Sequence, residues 1–394
     1  MRLALAGLLA ACAAPRPQPR AAPPPVVPEA TPVHARAGLA PDEPEVGLTI
    51  YFIDVGQGAA TLVVGPASAG SRSMLVDGGH IWPPADRAPG VEPIDSGSLI
   101  HTFLERIERP SLDYVVLTHY DADHLGGFVT TSSSYSILWQ RDCTRRPTFP
   151  TRELVDPGTP RRTNTSIAEW QRCLAGAPER VSIDGPDDLG HAMDLGGGWT
   201  ATVVAGQGFV IGRTDVVPSV NTDNERSLAV LVSGPSGFDF LVTGDLIGRP
   251  AGAENAPVEP ALGAALAARG VDLEVLQVGH HGAANASEPG FVDALRPEVA
   301  VVSTGKNSYG HPSCEAYTSL TPPEVQFVLQ TERGNSPCES QPPVQPLVAN
   351  GTIRIVVTDD RYRVSSFGEV SPLNGYPTVP FSLACTVGGR CETP

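Results

Sequence analysis

Apolar positions along the chain follow two rhythms. "GLTIYFIDVGQGAATLVV", from Gly47, alternates with period two, breaks at glycines and resumes; "SRSMLVDGG" reads as a further strand ending at Asp77 and two glycines. "DSGSLIHTFLERIER" switches to helical spacing, with Ser96 or Ser98 as the expected cap, and "LDYVVLTH" is a strand of the buried type. Strands return at "WTATVVAG", "SLAVLVSG" and "FDFLVTGDL". Helix "PALGAALAARG", strand "LEVLQVGHHG", helix "EPGFVDALRP" and strand "EVAVVSTG" follow. Strand, helix and strand repeated over apolar runs predict an α/β layer protein. "TIRIVVTDDRYRVSS" predicts a hairpin turning at Asp359 and Asp360, and no internal repeat of fixed period is present.

Other stretches lack these rhythms. "MRLALAGLLAACAAPRPQPR" has a basic Arg2, an apolar run from Leu3 to Ala11 and small residues before Cys12, which reads as an export signal. It is shorter than the roughly 20 apolar residues a transmembrane helix needs. "LAAC" resembles a bacterial lipobox, so Cys12 is the expected lipidated first residue and residues 1–12 the signal. Residues 13–45 are Ala/Pro-rich and read as a stiff tether in which His34 is merely solvated. Residues 46–370 form the expected domain. Within it, residues 131–190 are polar, rich in Arg and Thr, and carry "NTSIAEWQRCLAG" as their clear helix; they read as a disulfide-pinned insertion near the site. Residues 371–394 read as a Pro-rich, disulfide-closed tail.

Composition narrows function further. The 394 residues are 41% hydrophobic, enough for a substantial core, and 40 prolines with 41 glycines call for many turns. A net charge of -16 argues against gripping nucleic acid on a broad basic surface, while leaving it open as a transient substrate. Besides Cys12 there are six cysteines, which fits an oxidising compartment. Of the fifteen connectivities that six cysteines allow, neighbours in sequence suggest Cys143 with Cys173, Cys314 with Cys338, and Cys385 with Cys391. No close C-x-x-C pair favours a metal instead.

The chemistry gathers in "LTHYDADHLGG", residues 117–127. A loop leaving a strand can turn His119, Asp121, Asp123 and His124 toward one point, and imidazole with carboxylate suits zinc, manganese or iron. Gly126 and Gly127 allow close backbone approach. "LVTGDL" places Asp245, and "QVGHHGA" places His280 and His281, just past strand carboxyl ends, where α/β sheets carry their chemistry. Asp245 alone would suit a helix cap; beside the first motif it suits a carboxylate bridging two ions.

Together, "FIDVGQGAA", "LVDGG", "THYDADHLGG", "LVTGD", "VGHHGA" and "STGKNSYGHPS" resemble the metallo-β-lactamase-fold domain of ComEC-type DNA-uptake proteins. The resemblance spans residues 48–313, and the hairpin at 351–366 continues it. It implies an αββα sandwich with two divalent metal ions, zinc or manganese, at one sheet edge. It further implies His119 and Asp121 on one ion, Asp123 and His124 on the other, and Asp245 between them. Of the histidine pair, His281 is the expected ligand and His280 a contact to substrate phosphate. Asp77 would orient ligands through hydrogen bonds. Lys306 and His311 would stabilise phosphate charge and protonate a leaving alkoxide.

Two departures stand out. Ala59 occupies the position after "DVGQG" where the family usually has an acidic residue, and only His191 is available for the further histidine that the wider superfamily places before the bridging aspartate. His80 and His101 have no expected role. Arg145, Arg146, Arg152, Arg161, Arg162 and Arg172 give the insertion a basic character that could guide an anionic substrate or simply face solvent.

The expectation is an exported metal-dependent hydrolase, foremost a phosphodiesterase using metal-activated water, with nucleic acid among its candidate substrates. Envelope polymers, small esters or lactones, or a metal-stabilised binding module are the alternatives. Membrane contact is expected only through a lipid anchor, and no partner protein is evident.

Overall fold

The computed structural model describes residues 47–393 apart from 82, 84–86, 110, 131–134, 176, 178, 217–221, 249–257 and 339. Cys12, the expected signal and the 13–45 tether lie outside the described residues. β1 (Leu48–Phe52) sends Leu48, Ile50 and Phe52 to one side and Tyr51 to the other, and both sides are buried. β2 (Thr61–Val64) and β3 (Ser73–Val76) pair antiparallel beside it. After α1 (Ser96–Arg106), β4 (Tyr114–Val116) joins parallel to β3 and leads into α2 (Ala122–Leu125), the short helix of the histidine motif. β5 (Glu153–Asp156) and β6 (Arg180–Ser182), separated by α3 (Thr165–Leu174), extend the sheet in parallel.

The second sheet begins with β7 (Ala192–Gly196), β8 (Trp199–Gly206), β9 (Phe209–Val210), β10 (Ala229–Ser233) and β11 (Asp239–Val242). Then α4 (Val258–Ala267), β12 (Val275–Gln277), α5 (Pro289–Leu295), β13 (Val299–Val302), α6 (Cys314–Ser319), β14 (Phe327–Gln330) and β15 (Leu347–Val348) follow. From β11 to β15 neighbouring strands are parallel. β16 (Thr352–Thr358), β17 (Arg361–Phe367), β18 (Ser382–Thr386) and β19 (Cys391–Glu392) return to the first sheet, where β16 pairs with β1.

The two sheets pack face to face. Ile50, Phe52 and Met74 of the first meet Val230, Phe240 and Val275 of the second, with Phe52 edge-on to Phe240 at 5.6 Å. On the outer face of the first sheet lie Leu99, Ile100 and Leu104 of α1 and Ile167 and Trp170 of α3. Leu262 and Leu266 of α4 and Phe291 and Leu295 of α5 cover the second. This is the αββα sandwich that the resemblance implied. Parallel strands such as β4 and β13 are buried on both faces, which explains their unbroken apolar runs.

Three local features differ from the sequence expectations. α1 is capped by Asp95, not by Ser96 or Ser98: the carboxylate accepts the Ser98 backbone N–H at 3.0 Å and its hydroxyl at 2.8 Å. Residues 131–190, besides being pinned by a disulfide, donate β5 and β6 to the sheet. The tail contributes β18 and β19. All three disulfides join the expected neighbours, with Cα separations of 4.9 Å for Cys143–Cys173, 5.6 Å for Cys314–Cys338 and 4.0 Å for Cys385–Cys391. Among the described residues no helix is long and apolar enough to cross a membrane.

Candidate metal centre

The chemistry-bearing side chains converge where β4, β11 and β12 end. The motif turn can form because its glycine pair lies flat against residues 78–80: Gly126 N donates to Gly79 O at 2.8 Å and Gly127 N to Gly78 O at 2.7 Å. A Cβ on Gly126 would come within 2.3 Å of the His80 carbonyl. Opposite, His280 and His281 both adopt left-handed backbone (φ 47° and 53°), an arrangement that costs energy and clusters at functional sites.

His119, His124, Asp245 and His281 are each at most 3% exposed. The hydrogen bonds fix how the rings point. Thr118 gives its hydroxyl hydrogen to Asp77 at 2.8 Å, so it can only accept from His119 Nδ1, 3.1 Å away. His124 Nδ1 donates to Asp77 Oδ2 at 2.7 Å, and His281 Nδ1 donates to the Ser303 carbonyl at 2.8 Å. In the neutral form of all three rings Nε2 is therefore left with its lone pair facing the cluster. Anchoring of this kind is what sets ligand orientation in metal sites.

These nitrogens meet the carboxylates. Asp245 Oδ1 lies 3.1 Å from His124 Nε2 and 3.6 Å from His281 Nε2, while Oδ2 lies 3.7 Å from both His119 Nε2 and His280 Nε2. Asp123 Oδ2 is 3.3 Å from His281 Nε2, and the two nitrogens of His124 and His281 are 3.3 Å apart. Lone pairs that close repel unless a proton or a cation lies between them. His119 Nε2 and Asp245 Oδ1 are buried without a hydrogen-bond partner. Burial disfavours the charge on Asp245, but the surrounding histidines outweigh it and hold its pKa well below the usual carboxylate range. Burial likewise opposes a charged His124, yet Asp245 and Asp77 raise its pKa well above that of free imidazole. The cluster is short of positive charge, and a divalent cation fits its donors.

Among the described residues two groups lie close enough to hold an ion, His119–His124–Asp245 and Asp123–His124–His281. His124 cannot serve two ions, because its Nδ1 is committed to Asp77. Divided by the oxygens of Asp245, the donors fall into His124, His281, Asp123 and Oδ1 on one side, and His119 with Oδ2, flanked by the rim His280, on the other. Asp121 does not belong to either compact group: its Oδ2 is 3.9 Å from His119 Nε2, and its Oδ1 is taken by Arg162.

The remaining expected residues are placed as follows. His280 is at the edge, its Nε2 3.1 Å from Asn224 Nδ2, and burial lowers its pKa. His311 stacks beside it with ring centres 5.4 Å apart. Burial and the neighbouring His280 and His281 push its pKa down to about 4. Lys306 is exposed on the same loop. Ala59 brings only backbone, its N–H donating to the Asp123 carbonyl at 3.1 Å. His191 is 2.7 Å from Glu153, which lies opposite Tyr114 at the amino-terminal end of β4, so it does not supply a further ligand. His101 meets Tyr135 and Glu105 on the α1 face. Three of the six insertion arginines are used locally: Arg145 covers Trp139, Arg146 covers Tyr135 and Arg152 meets Asp113.

One contributing segment is unmarked in the sequence. Residues 222–228 touch the site at three points: Asn224 on His280, the Ser227 hydroxyl on Asp245 N at 3.2 Å, and Leu228 N on the Thr118 carbonyl at 2.9 Å. "TDNERS" contains no histidine; its only signal is a polar run directly before a buried strand.

Residues 53–211 match the Metallo-beta-lactamase superfamily. Over that stretch the chain is similar to a metallo-β-lactamase domain. ComE operon protein 3 of Bacillus subtilis (strain 168) is 26% identical to it over 290 residues, covering 73% of this chain and 32% of that protein. Recombination protein 2 of Haemophilus influenzae (strain ATCC 51907 / DSM 11121 / KW20 / Rd) is 28% identical over 255 residues, 64% of this chain and 24% of that protein. Both are ComEC-type competence proteins, and the chain spans a third or less of their length. The solved structure of a diphosphatase from the PhnP family aligns over 79% of this chain and 98% of its own at 11% identity, with a TM-score of 0.37. The superfamily is one of hydrolases, and this chain has candidate metal ligands to match.

Proposed function

We propose that the chain is a metal-dependent phosphodiesterase that works outside the cytoplasm, with two divalent ions, zinc or manganese, held at the cluster. The observation that carries this reading is the set of three buried imidazoles, each anchored through Nδ1, whose free Nε2 atoms face Asp123 and Asp245. When bound, such ions polarise a phosphoryl oxygen and lower the pKa of water toward neutrality. The protein's own groups do the rest. Asp245, between four histidines, fixes the spacing of the donors. Asp123 has its side chain 21% exposed against 3% for Asp245, and so faces the side from which a substrate arrives, placed to take the proton of the attacking water. His280 and His311 are neutral imidazoles on the rim whose N–H groups suit phosphate oxygens. Three disulfides support an oxidising compartment.

The test is hydrolysis of bis(p-nitrophenyl) phosphate by the purified full-length chain with zinc or manganese, beside Asp123→Ala. The expected result is metal-dependent turnover that the variant loses. Equal turnover by Asp123→Ala contradicts the assignment; cleavage of p-nitrophenyl acetate but not the diester would make the protein an esterase.

A further inference from the structure

The donors on the two sides of Asp245 are unequal. His124, His281 and Asp123 accompany Oδ1, whereas only the buried His119 and the rim His280 accompany Oδ2, and Asp121 is the carboxylate beside His119, with Oδ2 3.9 Å from His119 Nε2. Arg162 holds the other oxygen of Asp121. Its Nη2 donates to Asp121 Oδ1, while its Nε donates to Asp223 Oδ2 at 3.0 Å. Asp223 is 8% exposed and belongs to the segment that also contacts His280, Asp245 and Thr118. The Arg162 side chain, in the turn before α3, thus ties Asp121 to the scaffold that positions the rest of the site.

We propose that Arg162 is a positioning residue that presents Asp121 as a one-oxygen ligand for the ion on the His119 side. The proposal rests on the two-ion reading of the site. A guanidinium suits this task because its fork engages Asp121 and Asp223 together and stays charged at any working pH. With Oδ1 occupied, only Oδ2 faces His119, so the carboxylate neither swings into solvent nor takes both oxygens to the ion. Outer hydrogen bonds of this kind are typically worth about 10- to 100-fold in metal affinity.

The experiment is calorimetric titration of the metal-stripped full-length protein with manganese, for wild type, Arg162→Ala, Arg162→Lys and Asp223→Asn. Wild type is expected to take two equivalents. Arg162→Ala should keep the equivalent at His124, His281 and Asp123 with unchanged affinity and weaken the other by roughly 10- to 100-fold. Asp223→Asn should weaken that same equivalent less, and Arg162→Lys should recover part of the loss. The urea midpoint of the metal-free variants should match wild type, since a general structural role would lower it. Wild-type affinities at both equivalents in Arg162→Ala, or equal weakening of both, overturn the proposal while leaving the two-ion reading intact. Wild-type protein that takes up no manganese overturns both.

Discussion

Replacing Asp245 with alanine is expected to abolish metal-dependent turnover and to remove both tightly bound ions. Its carboxylate reaches both halves of the cluster: each of its oxygens faces two histidine Nε2 atoms, at 3.1 to 3.7 Å. Loss of an outer partner such as the Asp77 carboxylate typically costs about 10- to 100-fold in affinity; loss of a shared ligand should exceed that. Asp245→Asn keeps the shape but offers one oxygen and an N–H pair that would face histidine lone pairs or an ion, so it should fail as well. Metal content after dialysis and diester turnover are the two readouts. A variant that retains two ions would contradict the proposal that Asp245 is shared between them.

The largest loss of stability is expected from Trp170→Ala. Trp170 is fully buried on α3 and packs on Phe128, ring centres 5.8 Å apart, directly after the glycine pair of the metal motif. Removing a buried aromatic ring costs about 3–5 kcal/mol through lost transfer energy and the cavity left behind. Urea unfolding of the metal-free protein should show a lower midpoint with an unchanged slope. The indole Nε1 is buried without a hydrogen-bond partner, so Trp170→Phe removes an unsatisfied donor along with part of the ring and should cost far less than alanine. An alanine variant as stable as wild type would show that α3 is not part of the platform behind the motif.

What the sequence revealed and what it hid follow from the range of the interactions involved. β1 was legible because its alternation, and β10 because its apolar run, are written into consecutive residues, and the motif loop because four ligand-type side chains lie within six positions. β5 and β6 were hidden: they are short, carry Glu153, Asp156 and Arg180, and lie within a polar stretch. The cap of α1 was misread by one to three residues because Asp95, Ser96 and Ser98 all cap helices well, and only the local backbone selects among them. At the site, a cluster of ligand-type residues suggested what would gather, but not how each ring is oriented. The anchors on Thr118, Asp77 and Ser303, and the clamp of Arg162 on Asp121, join residues far apart in the chain and leave no local pattern. The lowered pKa of His311 was equally illegible, because its burial and its histidine neighbours exist only in the folded chain.

The most direct test of the central claim is anomalous diffraction from crystals of the protein grown with manganese or zinc. Two peaks are expected a few ångströms apart on either side of the Asp245 carboxylate, one beside His124, His281 and Asp123 and the other beside His119. Refined density with no anomalous peak against these atoms, at a metal concentration that supports turnover, would contradict it.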